Sequence, residues 1–192
     1  MKILDVGCGK NKTAGAVGMD MDRDSAAEII HDLDVFPYPL PDNEFDLLIC
    51  SHIIEHVADV KGFLDELRRI AKPNAIIRGI TPHFSNPCGY YDPTHRHYFG
   101  FKFLEFFAEG NTKTAGGFFF RAANRLLECY YPIPRFSKEK NFRLLKTELY
   151  FPRVLRLMGV SAFSNNFPEM YEFYLSGVFR ARDIIFELQV LK

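Results

Sequence analysis

The stretch "ILDVGCGKNKTAGAVGMDMD", Ile3 to Asp22, decides how this chain is read. It holds two short apolar runs, Ile3 to Val6 and Ala16 to Met21; the first closes on Gly7-Cys8-Gly9 and the second on Met-Asp-Met-Asp. Runs of this length, rich in β-branched residues and apolar throughout, suit strands buried on both faces of a parallel sheet. Glycines directly after a first strand let a ligand approach the backbone. An acid at the end of the second strand, Asp20 or Asp22, is placed to accept both hydrogen bonds of a ribose diol. A tight turn followed by solvated aspartates accounts for the same residues, and a lone Gly-x-Gly does not separate the two readings.

Working outward, strand-like and helix-like periods alternate. Glu28 to Leu33 is a weaker third apolar run, and "FDLLIC", Phe45 to Cys50, is a fourth after the turn residues "PDNE". Val57 to Ala71 carries apolar residues at Val60, Phe63, Leu64, Leu67, Ile70 and Ala71, a helical stripe that Pro73 and Asn74 are expected to stop. Ala75 to Ile80 reads as a fifth strand. Strand, helix, strand in this order predicts an α/β sheet whose right-handed crossovers align the carboxyl ends of the strands along one edge.

The whole-chain properties narrow the class. With 192 residues, 47% of them apolar, the chain has material for one core and reads as a single domain over 1–192. Lys plus Arg equals Asp plus Glu at 24 each, which supplies no overall field toward nucleic acid or acidic lipid. Apolar runs stay below the ~18 residues that span a bilayer, and MKILDVGC lacks a signal peptide's apolar region and cleavage site, so the expected location is cytoplasmic. Cys8, Cys50, Cys88 and Cys129 show no CxxC spacing, as expected of reduced thiols.

"LDVGCG", then "GMDMD", then "HDLDVFPYPLPDNEFDLLICSHIIEHV" together resemble the class I S-adenosylmethionine-dependent methyltransferases, in particular the small-molecule, methyltransferase type 11 branch related to ubiquinone and menaquinone biosynthesis enzymes. The resemblance covers residues 3 to 83 well and the rest loosely. It implies a Rossmann-like, doubly wound α/β sheet of seven strands whose last strand is antiparallel. It also implies S-adenosylmethionine as cofactor, with S-adenosylhomocysteine as product. By the same resemblance Asp5, Gly7, Cys8 and Gly9 lie beside the methionine part of the cofactor and Asp20 and Met21 at the ribose. Asp32 and Leu33 would lie at the adenine, and Ser51 and His52 follow the fourth strand. A dehydrogenase also begins with a glycine turn and an acid, but the third glycine of its GxGxxG falls on Lys12 here. Asp5 beside the turn also suits a cationic sulfonium better than a pyrophosphate. Two features depart from the family: only "KNKTAGA" stands where a crossover helix of about three turns is usual, and the family's N-terminal helices are missing.

The chemistry is expected in "NPCGYYDPTHRHYF", Asn86 to Phe99, which follows the fifth strand and has a "DPTH" segment that looks like one in related methyltransferases. Methyl transfer from a sulfonium is an in-line displacement that positioning can largely catalyse, and a base is needed only for a protonated acceptor. His95 and His97 are the candidate catalytic bases, Arg96 a candidate partner for an anionic acceptor, and loop-bracing histidines the competing account. His52-x-x-Glu55-His56 resembles an acid-x-x-Glu-His cluster that binds a divalent metal in some quinone and RNA methyltransferases, although here the first position is His. The same letters match an inverted zinc peptidase, against which the preceding buried strand argues. A structural role for Glu55 and His56 is the reading adopted, and no metal ligand is assigned.

After Phe101 the chain turns aromatic. "FGFKFLEFFAEG" reads as an amphipathic helix closed by Gly110, "GGFFFRAANRLLECYY" as containing the sixth strand, and "ARDIIFELQVLK" as the last strand. Residues 132–177 between them read as a lid or substrate-binding insertion, helical over Glu169 to Gly177. Seven of its residues, Arg135, Lys138, Lys140, Arg143, Lys146, Arg153 and Arg156, are basic, as a solvated face would be. The expected partners are a small-molecule acceptor and a second copy of the chain through the aromatic C-terminal half, with nucleic acid disfavoured. Two functional classes stay open: methyl transfer to a small molecule, with RNA or protein as other acceptors, or a cofactor-binding module without turnover. A polar acceptor space lined by His95 or His97 points to the first, and aromatic plugging of that space to the second.

Overall fold

The computed structural model describes residues 1–110 and 140–192. The strands are β1 (Ile3–Val6), β2 (Val17–Asp20), β3 (Ile29–Ile30), β4 (Phe45–Ser51), β5 (Ala71–Pro82), β6 (Ala108–Glu109), β7 (Phe142–Tyr150) and β8 (Asp183–Val190). They form one sheet in the order β3-β2-β1-β4-β5-β8-β7-β6. β1 through β5 pair in parallel, and β8 runs antiparallel between β5 and β7. The reversal of strand order at β1 and β4 puts the switch point where the glycine turn leaves β1.

Among the described residues a single long helix covers one face. α1 (Val60–Ile70) starts where the Asp59 side chain accepts the Gly62 N–H at 2.9 Å, which satisfies one of the first turn's free donors. It buries Phe63, Leu64, Leu67 and Ile70 against Leu4, Val6, Leu48 and Ile77. Burying side chains of this size stabilises by about 1.5–3 kcal/mol each. On the opposite face Ile49, Arg78, Ile80, Ile185 and Glu187 line a shallow open surface, with Arg78 Nε 2.8 Å from Glu187 Oε1.

Several expectations change in detail. The third strand shrinks to two residues, and α1 ends at Ile70 and passes directly into β5, while Pro73 and Asn74 bulge out exposed where the β4–β5 register shifts. "FGFKFLEFF" forms a short 3₁₀ turn, Phe103–Phe106, in place of an amphipathic helix. Phe142 to Tyr150, expected inside the lid, is strand β7 of the sheet. The described sheet therefore has eight strands, where the sequence reading expected seven. The helices of this half are short: α2 (Arg153–Leu157), α3 (Val160–Asn166) and one α-turn, Pro168–Met170, leading into a π-turn over Tyr171–Leu175. The sixth strand expected in "GGFFFRAANRLLECYY", together with Cys129, Arg135 and Lys138, lies outside the described residues. Cys8, Cys50 and Cys88 are free thiols. Among the described residues no helix is long and apolar enough to cross a membrane.

Candidate functional site

The first crossover, between β1 and β2, contains no helix, and carboxylates hold it in place of packing. Gly7 and Gly9 take φ of +69° and +53°, the left-handed region that glycine occupies without steric cost. A Cβ on Gly7 would lie 2.5 Å from Ile53, so the turn lies tight against the chain after β4, whereas a Cβ on Gly9 would meet nothing within 4 Å. Asp20 Oδ2 accepts the Gly9 N–H at 2.8 Å and Oδ1 accepts the Asp22 N–H at 2.9 Å. Each oxygen keeps a second lone pair for a ligand hydroxyl. Asp5, buried beside the turn, accepts the Thr13 N–H at 2.7 Å. Glu28 accepts the Gly18 N–H at 2.6 Å and pairs with Lys12, which holds its carboxyl at about 2.

The structure brings Asp5, Gly7, Cys8, Gly9 and Asp20 to one place at the carboxyl ends of β1 and β2. Burial raises the Cys8 thiol, with Asp5 and Asp20 adding to the shift. Met21 is exposed next to Asp20. Asp32 is exposed on the following segment, while the Leu33 side chain is committed to the core and its carbonyl accepts from Tyr38 Oη at 2.9 Å. Ser51 ends β4 exposed, and His52 follows with φ +52° and its N–H donated to the Ile80 carbonyl at 2.8 Å. A non-glycine residue in the left-handed region is uncommon and clusters at functional sites.

Beyond these turns a cleft of about 590 Å³ opens at the ends of β4 and β5 and the start of β8. Its polar lining includes His52, Glu55, His56, His95, Arg182 and Asp183. Glu55 is 1% exposed; Oε2 accepts from Thr81 Oγ1 at 3.0 Å, and Oε1 faces His52 Nδ1 at 3.3 Å. Hydrogen bonding to Glu55 raises the His52 imidazole above its ordinary value. Burial pushes the Asp183 carboxyl up, against the pull of His52 and Arg182.

The two candidate bases are placed differently. The Arg96 and His97 N–H groups donate to the Glu55 carbonyl at 2.8 and 3.2 Å, which docks the loop onto the turn after β4. His95 lines the cleft, and its Nδ1 donates to the Gly89 carbonyl at 2.7 Å, leaving Nε2 with its lone pair. His97 Nε2 donates to the Val57 carbonyl at 2.9 Å and is not among the cleft-lining residues. Arg96 turns to Asp34 at 3.6 Å. The far wall depends on a network the sequence did not reveal. Tyr171 Oη accepts the Ala181 N–H at 2.7 Å, and Glu172 joins buried His83 at 3.0 Å to the Phe101 N–H at 2.6 Å.

Comparison with known proteins agrees with this geometry. Residues 4–78 match the family described as "Methyltransferase domain". No curated protein matches the chain. The fold is similar to that of an S-adenosylmethionine-dependent methyltransferase from Mesorhizobium loti, with 15% identity, 98% of this chain and 90% of that chain covered, and a TM-score of 0.52. It is similar also to one from Archaeoglobus fulgidus, with 16% identity, coverage of 98% and 85%, and a TM-score of 0.55. The [4+2]-cyclase SpnF aligns at 15% identity, coverage of 99% and 74%, and a TM-score of 0.52, so the fold alone does not fix the reaction.

Proposed function

We propose that this chain is a class I S-adenosylmethionine-dependent methyltransferase that methylates a small-molecule acceptor held in the cleft between His52 and Asp183, a reading supported by the fold and by the family pattern over residues 4–78. The cofactor fits the residues present. Gly9 leaves open space where a side chain would stand, Asp20 offers lone pairs to a diol, and Asp5 and Asp20 place carboxylates where a cation is welcome and a pyrophosphate is not. When bound, S-adenosylmethionine supplies a sulfonium methyl group for in-line displacement. The chain's part is to hold the acceptor's lone pair about 3 Å from that carbon and to keep the cleft ordered around it.

The observation that carries the reading is the lining of the cleft, which among the described residues contains histidine, carboxylate and arginine but no Phe or Tyr. An aromatic plug would have supported a binding module without turnover. His95 meets the acceptor through Nε2, and His97 braces the loop through Val57. Accordingly His95→Gln is expected to slow single-turnover transfer by about a hundredfold with cofactor affinity nearly unchanged, and His97→Gln to weaken acceptor binding. The deciding experiment incubates the purified chain with methyl-labelled S-adenosylmethionine and metabolite extract. Label in a small-molecule fraction supports the reading. Cofactor binding without any transfer returns the chain to a binding module, and label only in RNA or protein reassigns the acceptor.

A further inference from the structure

The wall of the cleft that leads into β8 presents two arginines in a fixed frame. Arg180 and Arg182 both line the cleft and are exposed, while Ala181 between them and Asp183 after them are buried. This alternation carries the two-residue period of a strand back beyond the first residue of β8. The backbone that bears the pair is held at each step. The buried Tyr171 donates its hydroxyl to the Phe179 carbonyl at 2.8 Å and accepts the Ala181 N–H at 2.7 Å, so one hydroxyl grips both neighbours of Arg180. The Arg182 N–H donates to the Tyr150 carbonyl at 2.8 Å, and its own carbonyl accepts from Asn86 Nδ2 at 2.8 Å and from the His83 N–H at 3.2 Å. The side chains, by contrast, are unspent. Arg182 turns Nε to Asp183 Oδ2 at 3.3 Å, which orients the guanidinium, and its terminal N–H groups make no hydrogen bond among the described residues. Arg180 has neither a hydrogen bond nor an ion pair among them. The acids of the same cleft are already engaged. Glu55 faces His52 and Thr81, Asp183 faces Arg182, and Asp92 Oδ1 accepts the Thr94 N–H at 2.8 Å and the Thr94 hydroxyl at 2.6 Å.

We propose that Arg180 and Arg182 form the seat for an acidic group of the acceptor, so that the molecule methylated is an anion bearing a carboxylate or a phosphate. A guanidinium has donors only, set in a planar fork that matches two oxygens of either group, and it keeps its charge throughout the physiological pH range. Two such forks on one anchored segment lose little freedom when they close on a ligand, because the frame is ordered before the ligand arrives. The inference rests on the methyltransferase reading and deepens it by naming the class of acceptor. The sequence suggests Arg96 for this task, but the structure turns Arg96 to Asp34 and sets Arg180 and Arg182 in the cleft. Anchoring the acid on this wall leaves His95 Nε2 to the atom that receives the methyl group, so holding the acceptor and removing its proton fall to different residues.

The test uses the full chain, with and without S-adenosylhomocysteine, and two probe anions, inorganic phosphate and malonate, titrated by calorimetry at constant ionic strength. At least one is expected to bind. Arg180→Gln and Arg182→Gln should each weaken that binding about tenfold or more, the loss of a charge-assisted hydrogen bond. Both side chains are exposed, so these variants leave the core untouched. Arg78→Gln, which removes the same charge from the opposite face of the sheet, should leave anion binding unchanged. In a second arm the metabolite extract is split on an anion exchanger and each fraction is assayed with methyl-labelled S-adenosylmethionine. Acceptor activity is expected in the retained fraction; its loss on phosphatase treatment identifies a phosphate, and its survival a carboxylate. KM for that acceptor should rise about tenfold or more in either glutamine variant, with kcat changing less. Absence of binding by both anions, binding that both arginine variants retain, or acceptor activity confined to the unretained fraction overturns the proposal. In the last case methyl transfer stands and the anion seat alone is wrong. If the anions bind through the two arginines while no fraction is methylated, the seat stands and the methyl-transfer reading falls.

Discussion

The two crossovers beside β1 solve the same problem with different physics. Between β4 and β5 the chain spends eleven residues on α1 and buries four large apolar side chains. Between β1 and β2 it spends ten residues on a loop without a helix, and Asp5, Asp20 and Glu28 each catch a backbone N–H of that loop or its neighbouring strand. Apolar packing is non-directional and grows with area, whereas a carboxylate–amide bond fixes one donor at one place. The helix therefore carries stability, and the loop carries the shape of the glycine turn. A loop held by polar contacts can also leave its inner surface open, as at Gly9, where a packed helix would fill it.

Four substitutions break or sharpen this contrast, from the largest effect down. Leu67→Ala, at a fully buried position of α1, should lower stability by about 2–5 kcal/mol through lost transfer energy and the cavity left behind, read as a fall in denaturant midpoint. Asp20→Ala should instead act on ligand binding. S-adenosylhomocysteine is expected to bind in the micromolar range, on the order of 8 kcal/mol, and the variant to lose about 1–3 kcal/mol of it by calorimetry. Equal losses in stability and affinity for both variants would abolish the distinction between the crossovers. Asp5→Ala leaves the Thr13 N–H without its acceptor, at a cost of about 1–2 kcal/mol in stability, with amide exchange in the glycine loop rising more than in α1.

The smallest effect depends on pH. The Glu28 carboxyl is lowered to about 2 by the Lys12 ammonium and the Gly18 N–H. A carboxyl lowered on folding stabilises above its unfolded value near 4.3, and that contribution is lost as pH falls through the folded value. Glu28→Gln should therefore melt slightly below the unaltered chain at pH 6, with the gap closing between pH 4 and 2. The side chain is exposed, so the gap is a small one. A difference independent of pH would remove the ion pair as its cause.

Legibility in the sequence follows the same division. Gly7, Gly9, Asp20, β4 and the stripe of α1 were readable because each is a local pattern: a turn beside an apolar run, or a 3.6-residue period. β7 was not, since "FRLLKTELY" exposes Arg143 and Leu145 and owes its strand state to β8 some forty residues later. Its charges read as a solvated insertion. His95 and His97 were both visible as candidates, but their difference lies in two carbonyls, Gly89 and Val57, that no spacing rule reaches. The convergence of His56 and His95 was hidden for the same reason. Leu33 shows the converse: expected at the adenine, it turns its side chain into the core.

Because β8 runs opposite to its neighbours, it begins where the parallel strands end, and the chain delivers Arg182 and Asp183 to the cleft directly from the helical segment before them. The glycine turn and Asp20 come from the first 20 residues, while this far wall of the cleft comes from the last 40. Under the methyltransferase reading, the donor's seat and that wall are thus written in separate stretches of the gene. Exchange of Pro152 to Arg182 as a cassette would recast this wall of the cleft while the glycine turn and Asp20 are inherited intact.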